Sequence, residues 1–286
     1  RNARLPPARA FHIVRPPESR SRPVSLRIAT WNVNSLRRRL DHLARFAEAE
    51  KPDVICLQET KVSDEEFPRD AILALGYPHI HRHGQKARNG VAILSRQPFE
   101  SETILHWCGR EDRRHACVRL AGGLEIHDFY VPAGGAKPDP EANDKFAHKL
   151  QFLDEMAAWA KSDLADRKAV LVGDLNVAPL ETDVWNHKQL VRSVGHTPVE
   201  SARMAALLEA GGLIDAPRRF VPADRPLFTW WGYRFPAAFE KDYGWRLDHI
   251  LVTPALGDQI RDCRVLRDTR AWPEPSDHVP VLLTLS

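Results

Sequence analysis

Acidic, amide, phenol and imidazole side chains recur in this chain where apolar runs begin or end. Asn32 and Asn34 lie at the end of one such run, Glu59 follows another, and Asp174 and Asn176 close a third. Tyr130 ends a fourth, Asp248 opens a fifth, and Asp277 with His278 precedes the last. Polar groups in apolar strands cost free energy unless they are paired, so a set of them at strand ends needs a reason. Asn and Asp also cap helices and make turns, and any single one of these positions says little. Taken together they point to one site, because α/β sheets assemble ligand chemistry at strand ends. If Glu59, Asp174, Asp248 and Asp277 converge, the four carboxylates raise one another's pKa and a divalent cation is the expected counter-charge. Oxygen donors of this kind suit Mg²⁺, or Mn²⁺, rather than zinc.

The elements that must position these groups are legible from periodicity. Strands are expected at 27–33, 53–58, 90–95, 124–130, 169–174, 247–253 and 278–285. In the first of them the two-residue period puts Asn32 and Asn34 on one face; Asp174 and Asn176 likewise project the same way. Leu36, Leu40, Leu43 and Ala47 recur at helical spacing and stop before Pro52. Phe146, Leu150, Leu153 and Ala157 repeat that spacing, and a further helix is expected at 201–210. Loops at 131–142 and 222–245 carry the irregular sequence, and no linker divides the core, so one α/β domain over 26–286 fits best.

The 286 residues carry a net charge of +3, but six Arg and one acid fall within residues 1–25, leaving 26–286 formally at −2. Binding to a polyanion must then come from local patches and bound cations. The paired prolines of 1–25 forbid an amphipathic helix, and a flexible extension is expected there. No apolar run reaches the length of a bilayer span. The four cysteines have no close pairing, which argues against a disulfide framework or a cysteine zinc site. His79, His81 and His83 alternate on one face of a short strand; without zinc-like spacing, solvated histidines are the expectation.

The segments WNVNSLR (31–37), LQETK (57–61), GDLN (173–176), WRLD (245–248) and SDHVP (276–280), in this order, resemble the signatures of the exonuclease III type of AP endonuclease, within the endonuclease/exonuclease/phosphatase superfamily that includes DNase I. The resemblance implies a DNase I-like four-layer α/β sandwich, two packed mixed sheets flanked by helices. It assigns Glu59, Asn34 and Asp277 to a metal, although many relatives carry Asp at the position of Asn34. It makes Asp174 the group that orients or deprotonates water, with Asn32 and Asn176 positioning it or the phosphate. His278 would donate to a phosphate oxygen, with Asp248 orienting its imidazole, and Tyr130 would contact the phosphate or assist the leaving group. Trp230, Trp245 and Leu247 match positions lining an apolar pocket for an extruded deoxyribose, and Arg234 falls where relatives wedge the duplex. Lys61 is a candidate backbone contact. One departure is Ala133-Gly134-Gly135-Ala136-Lys137, where some relatives place an arginine in the major groove.

The implied activity is Mg²⁺-dependent hydrolysis 5′ to abasic sites in duplex DNA, leaving a 3′-hydroxyl, with 3′→5′ exonuclease and 3′-phosphodiesterase action compatible with it. The implied substrate is duplex DNA with abasic or 3′-blocked sites, acted on by a monomer away from membranes, in the cytoplasm and nucleoid-associated in a bacterium. Organelle targeting by 1–25 stays open. The same superfamily also contains lipid and small-molecule phosphodiesterases and nonspecific nucleases, which are the alternatives.

Overall fold

A computed structural model describes residues 25–286 apart from Ala165 and Pro236, so the extension expected at 1–25 lies outside the described residues except for Ser25. Twelve strands are formed among the described residues: β1 (Leu26–Asn32), β2 (Val54–Gln58), β3 (His79–His83), β4 (Val91–Ser95), β5 (Ser101–Thr103), β6 (His115–Leu120), β7 (Leu124–Tyr130), β8 (Ala169–Asp174), β9 (Ile214–Asp215), β10 (Asp248–Val252), β11 (Ile260–Val265) and β12 (Val281–Leu285). The helices are α1 (Leu40–Glu50), α2 (Arg69–Ala74), α3 (Asp144–Asp163), α4 (His187–Leu190) and α5 (Pro198–Gly211). The expected first helix starts late: Leu36–Arg38 is a 3₁₀ turn, and α1 follows Arg39.

The strands form two six-stranded sheets, in orders β11-β12-β1-β2-β4-β3 and β5-β6-β7-β8-β10-β9. Each sheet has one parallel pair at its centre, β1 with β2 and β7 with β8. Alternation along the strands explains the packing. Ile28 on β1, Cys56 on β2, Ile126 on β7 and Val172 on β8 belong to one core between the sheets. The intervening Trp31, Ile55 and Leu57 pack outward against Leu43 and Phe46 of α1. On the opposite side Leu171 and Leu251 meet Phe152 and Met156 of α3 and Met204 of α5. The result is the four-layer sandwich expected.

The solvated reading of the histidine run is corrected. His81 and His83 are buried, because β3 lies at a sheet edge whose alternating face turns toward the second sheet. His83 Nδ1 lies 3.1 Å from the His115 carbonyl on β6, and His81 pairs with Glu102 at 2.8 Å.

Register delivers the polar ends to one place. Asp174 pairs with Tyr130 on one side and with Asp248 on the other, and Asn32 pairs with Gln58 in the facing sheet. Gly173 makes the approach feasible. At φ 138°, a Cβ there would lie 1.9 Å from the Phe129 carbonyl oxygen, so no larger residue fits without moving the backbone that carries Asp174. Gly173→Ala is expected to destabilise the protein by roughly 2–4 kcal/mol in urea unfolding, with loss of turnover exceeding the fraction unfolded.

Candidate active site

The convergence is a chain of hydrogen bonds across the two sheets. Asn32, fully buried at the end of β1, donates its amide to Glu59 Oε1 and to Asp174 Oδ2, both at 2.9 Å. Tyr130 donates its hydroxyl to Glu59 Oε1 at 2.9 Å. Asp174 is further fixed by the Asn176 backbone N–H, 3.0 Å from Oδ1. His278 bridges the next pair, with Nδ1 2.8 Å from Asp248 Oδ2 and Nε2 3.7 Å from Asp174 Oδ2. On the other flank Asn34 donates Nδ2 to Asp277 Oδ1 at 2.9 Å, and Asp277 Oδ2 accepts the Trp230 indole N–H at 3.0 Å.

Local backbone explains how loops hold these groups. Asn34, Glu59 and Asn176 all have positive φ (44°, 50° and 54°), so each turns sharply as its strand ends. Asn32 Oδ1 receives the Asn34 N–H at 3.0 Å, and Asp174 receives that of Asn176, two side-chain turns of the same kind. Ser276 donates to the Asn32 carbonyl at 2.7 Å, tying the segment before His278 to the end of β1.

The electrostatics follow from burial. Desolvation pushes the Asp174 carboxyl up to about 7, against the pull of His278 and with added repulsion from Asp248. Burial alone would depress His278, but Asp248 and Asp174 outweigh it and hold the imidazole up to about 10, so the imidazolium is the counter-cation between two carboxylates. Burial also works to raise Glu59, yet Lys61 and the Asn32 amide hold it below the ordinary carboxylate range. Tyr130 is raised well above the usual phenol range by burial and by Glu59 and Asp174.

Two groupings bear on a metal. Asp174, Asp248 and His278 lie within 4.8 Å of one another, but there both imidazole nitrogens already face carboxylates. Around Asn34 the donors are different. Lys61 Nζ bonds Asn34 Oδ1 at 2.6 Å and lies 2.7 Å from Glu59 Oε2, so an amide and a carboxylate oxygen already converge on one cationic centre. With Asp277 hydrogen-bonded to the same Asn34, this oxygen set fits a hard divalent cation. The Lys61 ammonium, on a side chain 27% exposed, is held between the Asn34 and Glu59 oxygens at the edge of the site.

Trp230, Trp245 and Leu247 form one apolar cluster with Ala178 and Val184. The two indoles meet edge to face at 6.2 Å, and Trp230 lies 6.4 Å from the His278 ring. Arg234 is exposed on the loop beyond Trp231, and Trp231 itself is fully buried in a separate cluster with its N–H on Asp242.

Three supports escaped the sequence reading. Lys149 on α3 and Glu200 on α5, both without solvent exposure, pair at 2.5 Å, and Lys149 donates to the Asn176 carbonyl at 2.6 Å. Glu200 also accepts from Gly195 and Thr197, so one ion pair fixes two loops behind Asp174. Arg246, 1% exposed, bonds Asp183 and Asp215 and anchors the strand that presents Asp248. Beneath the site Gln58 donates to Asp128 Oδ1 at 2.6 Å between the sheets, and burial raises Asp128 well above the carboxylate range. Lys149 sits at helical spacing beside Phe146 and Leu150, and only the contact with Glu200 distinguishes it from a solvated charge.

Residues 29–278 match the model of the endonuclease/exonuclease/phosphatase family, and the chain belongs to that family. Its members depend on a divalent metal. Within it the chain falls among the exonuclease III-type enzymes. It is 32% identical over 270 residues to exodeoxyribonuclease III of Haemophilus influenzae, covering 90% of this chain and 98% of that one. Its fold matches an AP endonuclease from Archaeoglobus fulgidus with a TM-score of 0.83 at 34% identity, over 91% of this chain and 99% of that one. A 3′ phosphatase from Neisseria, solved with a product DNA hairpin, matches with a TM-score of 0.84 at 32% identity, over 91% and 99% of the two chains.

Lys149→Met leaves Glu200 buried and uncompensated, and is expected to cost about 3–5 kcal/mol in urea unfolding, partly recovered by adding Glu200→Gln. A second expectation concerns pH. The folded pKa of His278 is raised, so its contribution to stability is complete below about 6.5 and is lost as pH climbs toward 10. Asp174, also raised, adds a burial cost as pH climbs through about 7, in the same direction. Unfolding free energies in EDTA should therefore fall between pH 6.5 and 10, and His278→Asn should flatten that decline.

Proposed function

We propose that this chain is a Mg²⁺-dependent AP endonuclease that hydrolyses the phosphodiester 5′ to an abasic site in duplex DNA and leaves a 3′-hydroxyl. Trimming of 3′ ends by 3′→5′ exonuclease and 3′-phosphodiesterase action belongs to the same reading, since both need the same phosphate chemistry. The observation that carries it is the apolar Trp230, Trp245 and Leu247 cluster beside the His278 ring, a surface whose apolar character suits a sugar lacking its base. The similarity to an exodeoxyribonuclease III, an AP endonuclease and a 3′ phosphatase bound to product DNA supports the same substrate class.

In this reading Asp174 accepts the proton of the attacking water. Its raised pKa suits a base working near neutrality, and Asn32 and the Asn176 N–H leave it one orientation. His278, fixed through Nδ1 by Asp248, presents Nε2–H to a non-bridging phosphate oxygen. Tyr130 and Asn176 line the path of the phosphate; the Asn176 amide is oriented by its bond to the Val131 carbonyl at 2.9 Å. Glu59, Asn34 and Asp277 would hold Mg²⁺, which supplies charge neutralisation on the phosphate and on the departing oxygen. Residues 26–286 form the catalytic unit, and Arg234 meets the duplex beside the lesion.

The test is a duplex with one tetrahydrofuran lesion beside an undamaged control. Wild type should incise the lesion strand with Mg²⁺ and not in EDTA, and indifference to the lesion would refute the reading. Asp174→Asn should slow incision by roughly a hundred- to ten-thousandfold while retaining lesion binding. Trp245→Ala should lower incision at the lesion more than removal of ordinary 3′ nucleotides.

A further inference from the structure

A pocket of about 570 Å³ opens beside Asn34, lined by Arg38, Arg39, Tyr233, Phe235, Arg270 and Glu274. Its basic wall is unusual in a segment whose formal charge is −2. Arg39 is only 5% exposed, yet its guanidinium donates to neutral oxygens alone: the carbonyls of Asn34 at 2.6 Å and Pro275 at 3.1 Å, and the Tyr233 hydroxyl at 3.2 Å. Its Nε has no hydrogen-bond partner among the described residues. Arg270 donates to the Trp231 carbonyl at 2.9 Å and lies over the Tyr233 ring at 5.3 Å. Neither arginine forms an ion pair among the described residues. Glu274, the one acid in the lining, reaches only the exposed Arg38, at 3.9 Å.

A buried guanidinium without an anion, as at Arg39, is costly, and the pocket it lines with the half-buried Arg270 is suited to an anion. Two aromatic rings stand on the same rim, Phe235 at 69% exposure and Tyr233 at 47%. Exposed rings beside an anion-seeking wall match the two halves of a nucleotide, a base that stacks and a phosphate that pairs. Asn34 joins this pocket to the oxygen donors around Glu59 and Asp277, so whatever binds here lies next to the scissile group.

We infer that this pocket is a second nucleotide subsite: its arginines take a phosphodiester flanking the scissile one, and Phe235 with Tyr233 stacks that nucleotide's base when it is unpaired. The inference rests on the DNA-hydrolysing reading above. A base held in a duplex presents no free face, so the subsite favours lesions whose neighbour is unpaired. A free nucleoside monophosphate shares the same chemistry and is the competing source.

The experiment uses the full chain carrying Asp174→Asn, so that binding is read without cleavage, and fluorescence anisotropy. Its probes are the fully paired tetrahydrofuran duplex, the same duplex with a mismatch immediately 5′ or 3′ of the lesion, and thymidine 5′-monophosphate. A mismatch on one side should tighten binding by about fivefold or more. Phe235→Ala should remove that gain, so that paired and mismatched duplexes bind alike. Arg38→Ala should reduce the slope of log affinity against log salt by about one. A gain that survives Phe235→Ala, or no gain on either side, overturns the inference. Thymidine monophosphate binding that depends on Arg38 and Phe235 without any mismatch effect also overturns it, by giving the pocket to the free nucleotide. Failure of wild type to incise the lesion duplex would instead remove the proposed function, a result read separately. Phe235 and Arg38 are both exposed, so loss of folding does not cloud either variant.

Discussion

A carboxylate with 1% exposure, Asp174, sits where two sheets meet, and the surroundings are organised around the cost of keeping it there. Desolvating an isolated carboxylate is expensive, and the expense is met by an amide from the facing sheet, a backbone N–H and an imidazolium. The imidazolium is itself sustained by a second buried carboxylate, Asp248, so the three groups stand or fall as a unit. A polar cluster of this kind tolerates no misplacement of the strands that carry it, and the sandwich supplies the rigidity.

The rigidity has a visible source. Register locks Asp174 between Tyr130 and Asp248 within one sheet, and Asn32 crosses from the other. Behind them the Lys149–Glu200 pair and the Arg246 network restrain the loops that leave the strands. The Gln58–Asp128 contact below shows that polar groups extend into the sheet interface, so the site is the exposed end of a polar column within an apolar core. Such columns favour one arrangement of the sheets over slipped alternatives, because a one-residue shift would leave every member unpaired.

The two flanks of the site differ in character. On one side indoles and Leu247 offer an apolar surface next to His278; on the other, arginines and exposed aromatic rings surround Asn34. Lys61 stands between Glu59 and Asn34 as a cation within the oxygen set, which shows how strongly that corner attracts positive charge. A phosphodiester strand crossing from one flank to the other would meet apolar, cationic and aromatic surfaces in turn.

Much of this was legible in the linear chain. Short apolar runs identify β1, β2, β7, β8 and β10 because these central strands are buried on both faces, and polar residues at the ends of such runs betray a shared site because nothing local requires them together. Short edge strands such as β5 and β9 left no signal, since three or two residues carry no period. The histidines of β3 misled because burial on an edge strand depends on what the second sheet places opposite, which local sequence does not encode. The types of the groups that converge were thus written in the sequence. Their protonation, the capture of Lys61 at the edge of the site and the uncompensated Arg39 were decided by the tertiary structure alone, since each depends on distance and desolvation between segments more than a hundred residues apart or on loops that meet only when the two sheets pack.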